Sequence, residues 1–368
     1  MPLPGSIITA ASVIPMAVAG SGKKKTDPVG PSAVDTVAPV NLTAPVVTGT
    51  NYYLNTLSTT NGTWDSIATP TYTYQWQRGG SDIGGATAST YQCVEADEGQ
   101  DITCIVTATN PIGSTPQVSN TINSWLPTAL TLRLWLCASR PSTVNTGSPS
   151  SNDAIQDLDD LSPNAVTYSQ GTSSKRPTWV ASVLDSKPVF RFSAANQQNL
   201  KESTINTVNR SAAHTIVIVS KLSSFDQAYK YMMGFKGATS NPSFALSTNA
   251  GFLDAFWGDD TSVDSWNVCR LTTVSNTTSW HVYILTYNGS NATVLNNFAF
   301  YDKSTLLTKT DVAGNDGVNQ NTFGSYKDSV IYNWNGDIAE IFVANGEADS
   351  TLRSTILAYV AARYPTLA

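Results

Sequence analysis

Asp337 and Glu340 stand three residues apart in an apolar run and are the first pair to test for acid–base work, because glycoside hydrolysis needs two carboxylates flanking one bond. Residues three apart in a strand point to opposite faces, so the spacing predicts that the two acids do not converge. His214 and His281, the only histidines, each flank an apolar strand and read as packed or rim residues rather than bases. No GxSxG, HExxH, P-loop or GxGxxG pattern occurs, which leaves no signature for a nucleophile or a phosphate cradle. The residues read as a protein that is not an enzyme.

Binding chemistry has more candidates. Asp157, Asp159 and Asp160 form one acidic cluster, and Asp259, Asp260 and Asp264 a second. Either supplies side-chain oxygens for Ca2+, although acids solvated in a loop are the simpler reading of both. No other cofactor is implied. Tyr229, Tyr231, Trp257, Trp266 and Trp334 are aromatic residues expected in loops, where a ring face can stack on the apolar side of a pyranose; packing in the core is the competing use. Trp257 followed by Gly258-Asp259-Asp260 is the place where an aromatic, a turn and acids coincide, so Trp257, Asp259, Asp260 and Trp266 make up a candidate glycan site.

The elements that must position these residues are strands. Across 368 residues the chain is only 13% charged, about half the usual share, and rich in Thr, Ser, Asn and Gly. That composition suits many short strands joined by polar turns. A net charge of −6 argues against nucleic acid as a partner. No apolar run reaches the roughly 18 residues of a membrane-spanning helix. Four cysteines, none in a CxxC, are too few for a disulfide scaffold.

Three regions follow. Residues 1–37 hold five prolines and no sustained periodicity, and read as an extended arm. The apolar residues Ile7, Ile8, Val13 and Ile14 precede Lys23-Lys24-Lys25. A secretory signal carries its basic residues before the apolar run, so an anchoring arm docked on a neighbouring subunit is the expectation here. From Ala38 to about Ser124, short strands alternate with turns at the spacing of a β-sandwich. Tyr72, Tyr74 and Trp76 share one face of the run from Tyr72 to Arg78, and Ile102, Cys104 and Val106 share a face of the next. From Trp125 to Ala368 the chain is β-rich and closes in one helix, with Leu352, Ile356, Tyr359 and Val360 at helical spacing after an Asp349 or Ser350 cap.

The string Tyr74-Gln75-Trp76-Gln77-Arg78, then Ile83-Gly84-Gly85, Ala96-Asp97-Glu98-Gly99 and Ile102-Thr103-Cys104, resembles the immunoglobulin-like repeat of bacterial surface and tailed-phage virion proteins. The resemblance implies that Trp76 is the core tryptophan of strand C and Cys104 the cysteine of strand F. The strand-B cysteine of the usual disulfide is missing, and Cys93 is either a bridge partner for Cys104 or a second packed thiol.

Leu134-Trp135-Leu136, Lys175-Arg176-Pro177-Thr178-Trp179, Lys187-Pro188-Val189-Phe190-Arg191-Phe192 and the closing Gly336-Asp337-Ile338-Ala339-Glu340-Ile341 resemble the concanavalin A-like lectin/glucanase fold in its laminin-G-like form. Cys137 stands where that family often has Asp.

The expected fold is therefore all-β: an arm, an immunoglobulin-like sandwich, then a jelly roll with a C-terminal helix. The combination resembles a tailed-bacteriophage virion surface protein. It implies capsid decoration, a head-fibre-like role or tail association, with the major capsid protein or another virion protein, neighbouring copies and cell-surface polysaccharide as partners. The alternatives are a glycan-specific adhesin, secreted or on a bacterial surface, and more remotely a glycoside hydrolase.

Overall fold

The computed structural model describes residues 36–145, 147–202, 212–223, 230–235, 242–249, 252–259, 266–271, 278–289, 298–307, 309–314, 321–323 and 334–368. Apart from the C-terminal helix, the regular structure in these residues is antiparallel β-sheet with short 3-10 turns. The arm residues Ile7, Ile8, Val13, Ile14, Lys23, Lys24 and Lys25 lie outside the described residues.

Three small sheets occupy Val40 to Val118. In one, the strand Thr71–Arg78 pairs residue for residue with Ile102–Thr109, which sets Trp76 opposite Cys104. Alternation along Ile102–Thr109 buries Ile102, Cys104, Val106 and Ala108 and leaves the intervening residues half-exposed. Ile102, Cys104 and Val106 meet Val47, Leu57, Trp76 and Cys93 in one apolar cluster. The Trp76 indole N–H donates to the Ala88 carbonyl at 2.9 Å, so the largest side chain of this core leaves no polar atom unsatisfied. Cys93 and Cys104 are both free thiols in that cluster. Burial pushes them up to about 12 and about 11, and keeps them neutral at ordinary pH.

From Leu132 onward two nine-stranded sheets form the jelly roll. The strand Gly336–Asn345 is the axis of the first. It pairs with His214–Leu222 along one edge, and with Leu132–Cys137 and then Lys187–Phe192 along the other. Nine of its ten residues are buried. Such a strand reads as a continuous apolar run because both of its faces are covered. On one face Ile338, Ile341 and Val343 join Leu134, Phe190, Ile218 and Leu285 in the core between the sheets. On the other, Ala339, Phe342 and Ala344 meet Trp135, Val217, Val282 and the helix α1 (Ser350–Arg363).

Of the two cap residues left open by the sequence, Asp349 caps α1, its side chain accepting from the Leu352 N–H at 2.7 Å. Ile356, Tyr359 and Val360 are buried against the sheet. Each removes enough apolar surface from water to contribute about 2 kcal/mol relative to exposure.

Candidate functional site

Asp337 and Glu340 depart from the strand parity expected of them. Val219 faces Glu340 while the next residue, Ser220, faces Ile338, so Ala339 is an extra residue and the strand carries a β-bulge. The bulge turns the two acids toward the same side of the sheet, the side covered by α1, yet different partners hold them. Asp337 takes a two-pronged ion pair from Arg191, at 2.7 and 2.9 Å. Glu340 is 1% exposed and accepts from the Trp135 indole N–H at 2.6 Å and the Tyr359 hydroxyl at 2.5 Å. Burial raises the Glu340 carboxyl above its usual range, opposed by the nearby Arg363 guanidinium and by these hydrogen bonds.

The first acidic cluster is divided by the same alternation that builds the strands. Asp157 and Asp159 flank buried Leu158 on the outward face of Asp157–Asp159. Asp160 turns inward, where its Oδ1 accepts from the Trp135 and Ser162 N–H groups, both at 2.8 Å, and its Oδ2 from the Ser162 hydroxyl at 2.6 Å. Asp159 accepts instead from the Thr167 hydroxyl. The three acids expected to gather Ca2+ thus face different ways, and among the described residues no group of three or more His, Cys, Asp or Glu side chains is placed to hold a metal.

The expected aromatic loops are largely strands. Trp257 and Asp259 lie in Phe252–Asp259, Trp257 opposite Asn267 and Asp259 opposite Pro242. Trp266 opens Trp266–Leu271, and Tyr231 lies in Lys230–Phe235. The turn expected at Gly258-Asp259 is therefore the end of a strand, paired in the second sheet. Trp334 is buried in the core between the sheets and presents no face to a sugar. Tyr229, Asp260 and Asp264 lie outside the described residues.

His214 is buried beside Tyr287, and burial lowers it to about 4. His281 pairs with Asp302 at 2.7 Å and stacks on Tyr283.

A buried charged site joins the two domains, and Glu98, Arg140 and Arg363 in it were absent from the sequence-based candidates. Glu98 follows the 3-10 turn Glu95–Asp97 in the immunoglobulin-like domain. Its side chain is fully buried and reaches into the jelly roll, where Arg140 lies 2.7 Å and Arg363 3.0 Å from its two oxygens. The Tyr53 N–H donates to the same carboxylate at 2.7 Å. Arg363, at the last turn of α1, is itself fully buried. It donates to the Ser139 hydroxyl, lies 3.2 Å from Cys137 Sγ and 3.8 Å from Glu340, and sits over the Tyr52 and Tyr359 rings. Burial pushes the Cys137 thiol up to about 11. Where the resemblance suggested an acid, this neutral thiol leaves Glu98, from the other domain, as the nearest carboxylate to Arg363.

Local structure prepares this reach. Gly99 has φ +72°, and a Cβ there would lie 2.8 Å from the Leu126 side chain, so glycine lets the segment turn and the jelly roll approach. The connection is tied back on both sides. Asn51 Oδ1 accepts from the Ser124 N–H at 2.8 Å, Asn123 donates to Asp101 at 2.7 Å, and the Tyr52 hydroxyl donates to the Trp125 carbonyl at 2.7 Å. At the far edge Lys187 donates to Asn55 Oδ1 at 2.7 Å, and its burial lowers it to about 8.

Chemically, this joint holds charge in place. Removing Glu98 would leave Arg363 buried without its nearest carboxylate, and removing Arg363 would leave Glu98 with Arg140 alone.

No family model matches the sequence, and no curated protein matches it significantly. Among solved structures, the binding domain of Paraclostridial Mosquitocidal Protein 1 aligns with a TM-score of 0.43 at 12% identity, over 62% of this chain and 52% of that one. The binding domain of Botulinum Neurotoxin DC in complex with SialylT aligns with a TM-score of 0.37 at 12% identity, over 65% and 52%. The Ruminococcus gnavus IT-sialidase CBM40 bound to alpha2,3 sialyllactose aligns with a TM-score of 0.29 at 18% identity, over 40% and 82%. The chain spans about half the length of the two toxin binding domains it matches.

Proposed function

We propose that the chain is a displayed, non-enzymatic binding protein whose immunoglobulin-like domain carries the jelly roll in one orientation toward polysaccharide. The observation that carries this reading is the joint: Glu98 seated between Arg140 and Arg363, with the connecting segment tied at Asn51, Asn123 and Tyr52. A domain that merely tethered its neighbour would need no buried ion pair, whereas one that aims it benefits from a fixed angle. The pairing of Asp337 with Arg191, and of Glu340 with Trp135 and Tyr359, supports binding over hydrolysis, because neither acid is left to attack or protonate a glycosidic bond.

In its finer form the proposal places the protein on a virion surface, as capsid decoration, head fibre or tail-associated protein, attached through residues 1–37 to the major capsid protein or to neighbouring copies. Many copies would make weak glycan contacts effective by avidity. Co-sedimentation with purified phage shells tests the attachment: the full chain should pellet and a chain starting at Ala38 should stay in solution. If neither pellets, capsid display is wrong. Retention on immobilised polysaccharides without release of reducing ends tests binding against hydrolysis, and measurable release would overturn the non-enzymatic reading.

A further inference from the structure

Beside the ionic joint the two domains leave an open cleft of about 400 Å3, at the lower end of the range for small-molecule sites. One wall is the immunoglobulin-like domain at Thr50 and the connecting segment at Thr121, Asn123 and Ser124. The cleft is also lined by Thr355, Ala358 and Tyr359 of α1 and by Trp125. From this geometry we infer that the cleft is a binding site for a neutral saccharide. The inference rests on the binding reading above and names a ligand class and a place for it.

Charge selects the class. None of the residues lining the cleft carries a carboxylate, ammonium or guanidinium group. A phosphate, a sialic acid or a metal ion would find no charged side chain in this lining to pair with. A neutral sugar needs what the cleft offers, an aromatic surface surrounded by hydroxyl and amide groups.

Trp125 supplies the surface. It is half-buried, and its ring is held edge-on against Tyr359, with centroids 5.3 Å apart and planes at 70°. A ring fixed in this way loses little rotamer freedom when a ligand stacks on it. Its indole N–H has no hydrogen-bond partner among the described residues, which leaves one directional donor for a sugar oxygen.

The polar groups are also set in advance. The Asn123 amide nitrogen donates to Asp101, and its Oδ1 has no partner among the described residues. Ser124 is held by reciprocal bonds with Asn51, whose N–H donates to the Ser124 hydroxyl at 3.1 Å while its Oδ1 accepts from the Ser124 N–H. Because both domains build the cleft, a bound sugar also bridges them, and binding stabilises their joined arrangement.

Calorimetric titration of the full chain with N-acetylglucosamine, lactose, cellobiose and 3'-sialyllactose tests the inference, with retention on immobilised polysaccharide in parallel. At least one neutral sugar should bind in the millimolar range, and more tightly than 3'-sialyllactose. Trp125→Ala should weaken that binding about tenfold or more. Ala358→Arg is the decisive variant, because it fills the cleft from an exposed helix position and removes no packing. It should abolish binding while the thermal transition stays within a few degrees of the parent. Undiminished affinity in Ala358→Arg, or a preference for 3'-sialyllactose over lactose, overturns the cleft assignment. If polysaccharide is retained equally by wild type and Ala358→Arg, the cleft is wrong and the binding function stands elsewhere on the molecule. If the wild type neither titrates nor is retained, both fail.

Discussion

Asp97 and Glu98 are adjacent acids with fully buried side chains, and they do opposite jobs. Asp97 turns back into its own domain, 2.7 Å from Arg78, and accepts from the Tyr91 hydroxyl at 2.8 Å and the Val94 N–H at 2.7 Å. Glu98 points the other way, between two arginines of the jelly roll. The Asp97 partners lie within 20 residues of it, whereas Arg363 is 265 residues from Glu98. The same chemistry therefore closes one domain and fastens two, and which job an acid does depends on the direction the 3-10 turn gives its side chain.

Breaking the joint should cost most. Arg363→Ala leaves Glu340 buried without its guanidinium and Glu98 with Arg140 alone, and the expected loss is about 3–5 kcal/mol in urea unfolding. The sharper signature is that the two domains then unfold separately, so one cooperative calorimetric transition splits in two. A single undivided transition at the parent midpoint would mean that the joint contributes nothing.

Asp97→Asn should cost less, about 1–3 kcal/mol, because the site keeps its shape and loses one charge-assisted pair. Its effect should be confined to the immunoglobulin-like domain, read as faster amide exchange along Ile102–Thr109 with the exchange of Gly336–Asn345 unchanged. Equal acceleration in both strands would erase the distinction drawn between the neighbouring acids.

Gly99→Ala should cost about 1–2 kcal/mol, since an alanine at φ +72° is strained and its Cβ meets Leu126. Thermal melting checks it, and a neutral result would show that Leu126 can withdraw without loosening the joint.

The smallest effect is expected at Lys187. Its ammonium titrates near 8 when folded and near 10.5 when unfolded. Between those values the unfolded chain holds a proton that the folded chain has released, so this group makes stability rise with pH across that window. Lys187→Met should leave stability at pH 7 unchanged or slightly higher, and should remove that rise. A variant whose pH–stability curve overlays that of the parent from pH 8 to 10.5 would refute the assignment.

Much of the architecture is legible in the sequence because it is written in short-range patterns. Period-2 alternation around Trp76 and Cys104 marks the first core, and Leu352, Ile356, Tyr359 and Val360 mark the helix. The candidate sites fared differently. Asp157, Asp159 and Asp160 look like one cluster in the sequence, but strand alternation sends them to opposite faces. The bulge at Ala339 reverses the expected relation of Asp337 to Glu340, because one inserted residue flips the parity of everything after it. Trp257 sits in a paired strand instead of a loop, since flanking Gly and Asp are as compatible with a strand end as with a turn.

By itself the sequence determined an all-β chain with a C-terminal helix and two separate hydrophobic patterns, because side-chain periodicity is a local property of the backbone. Only the tertiary structure decided that Glu98 meets Arg140 and Arg363, and that Trp125 stands in a cleft without charges. The physical reason is that burial and charge pairing depend on which distant surfaces meet, and residues as ordinary in type as Glu98 and Arg363 carry no mark of their partners until the chain has folded.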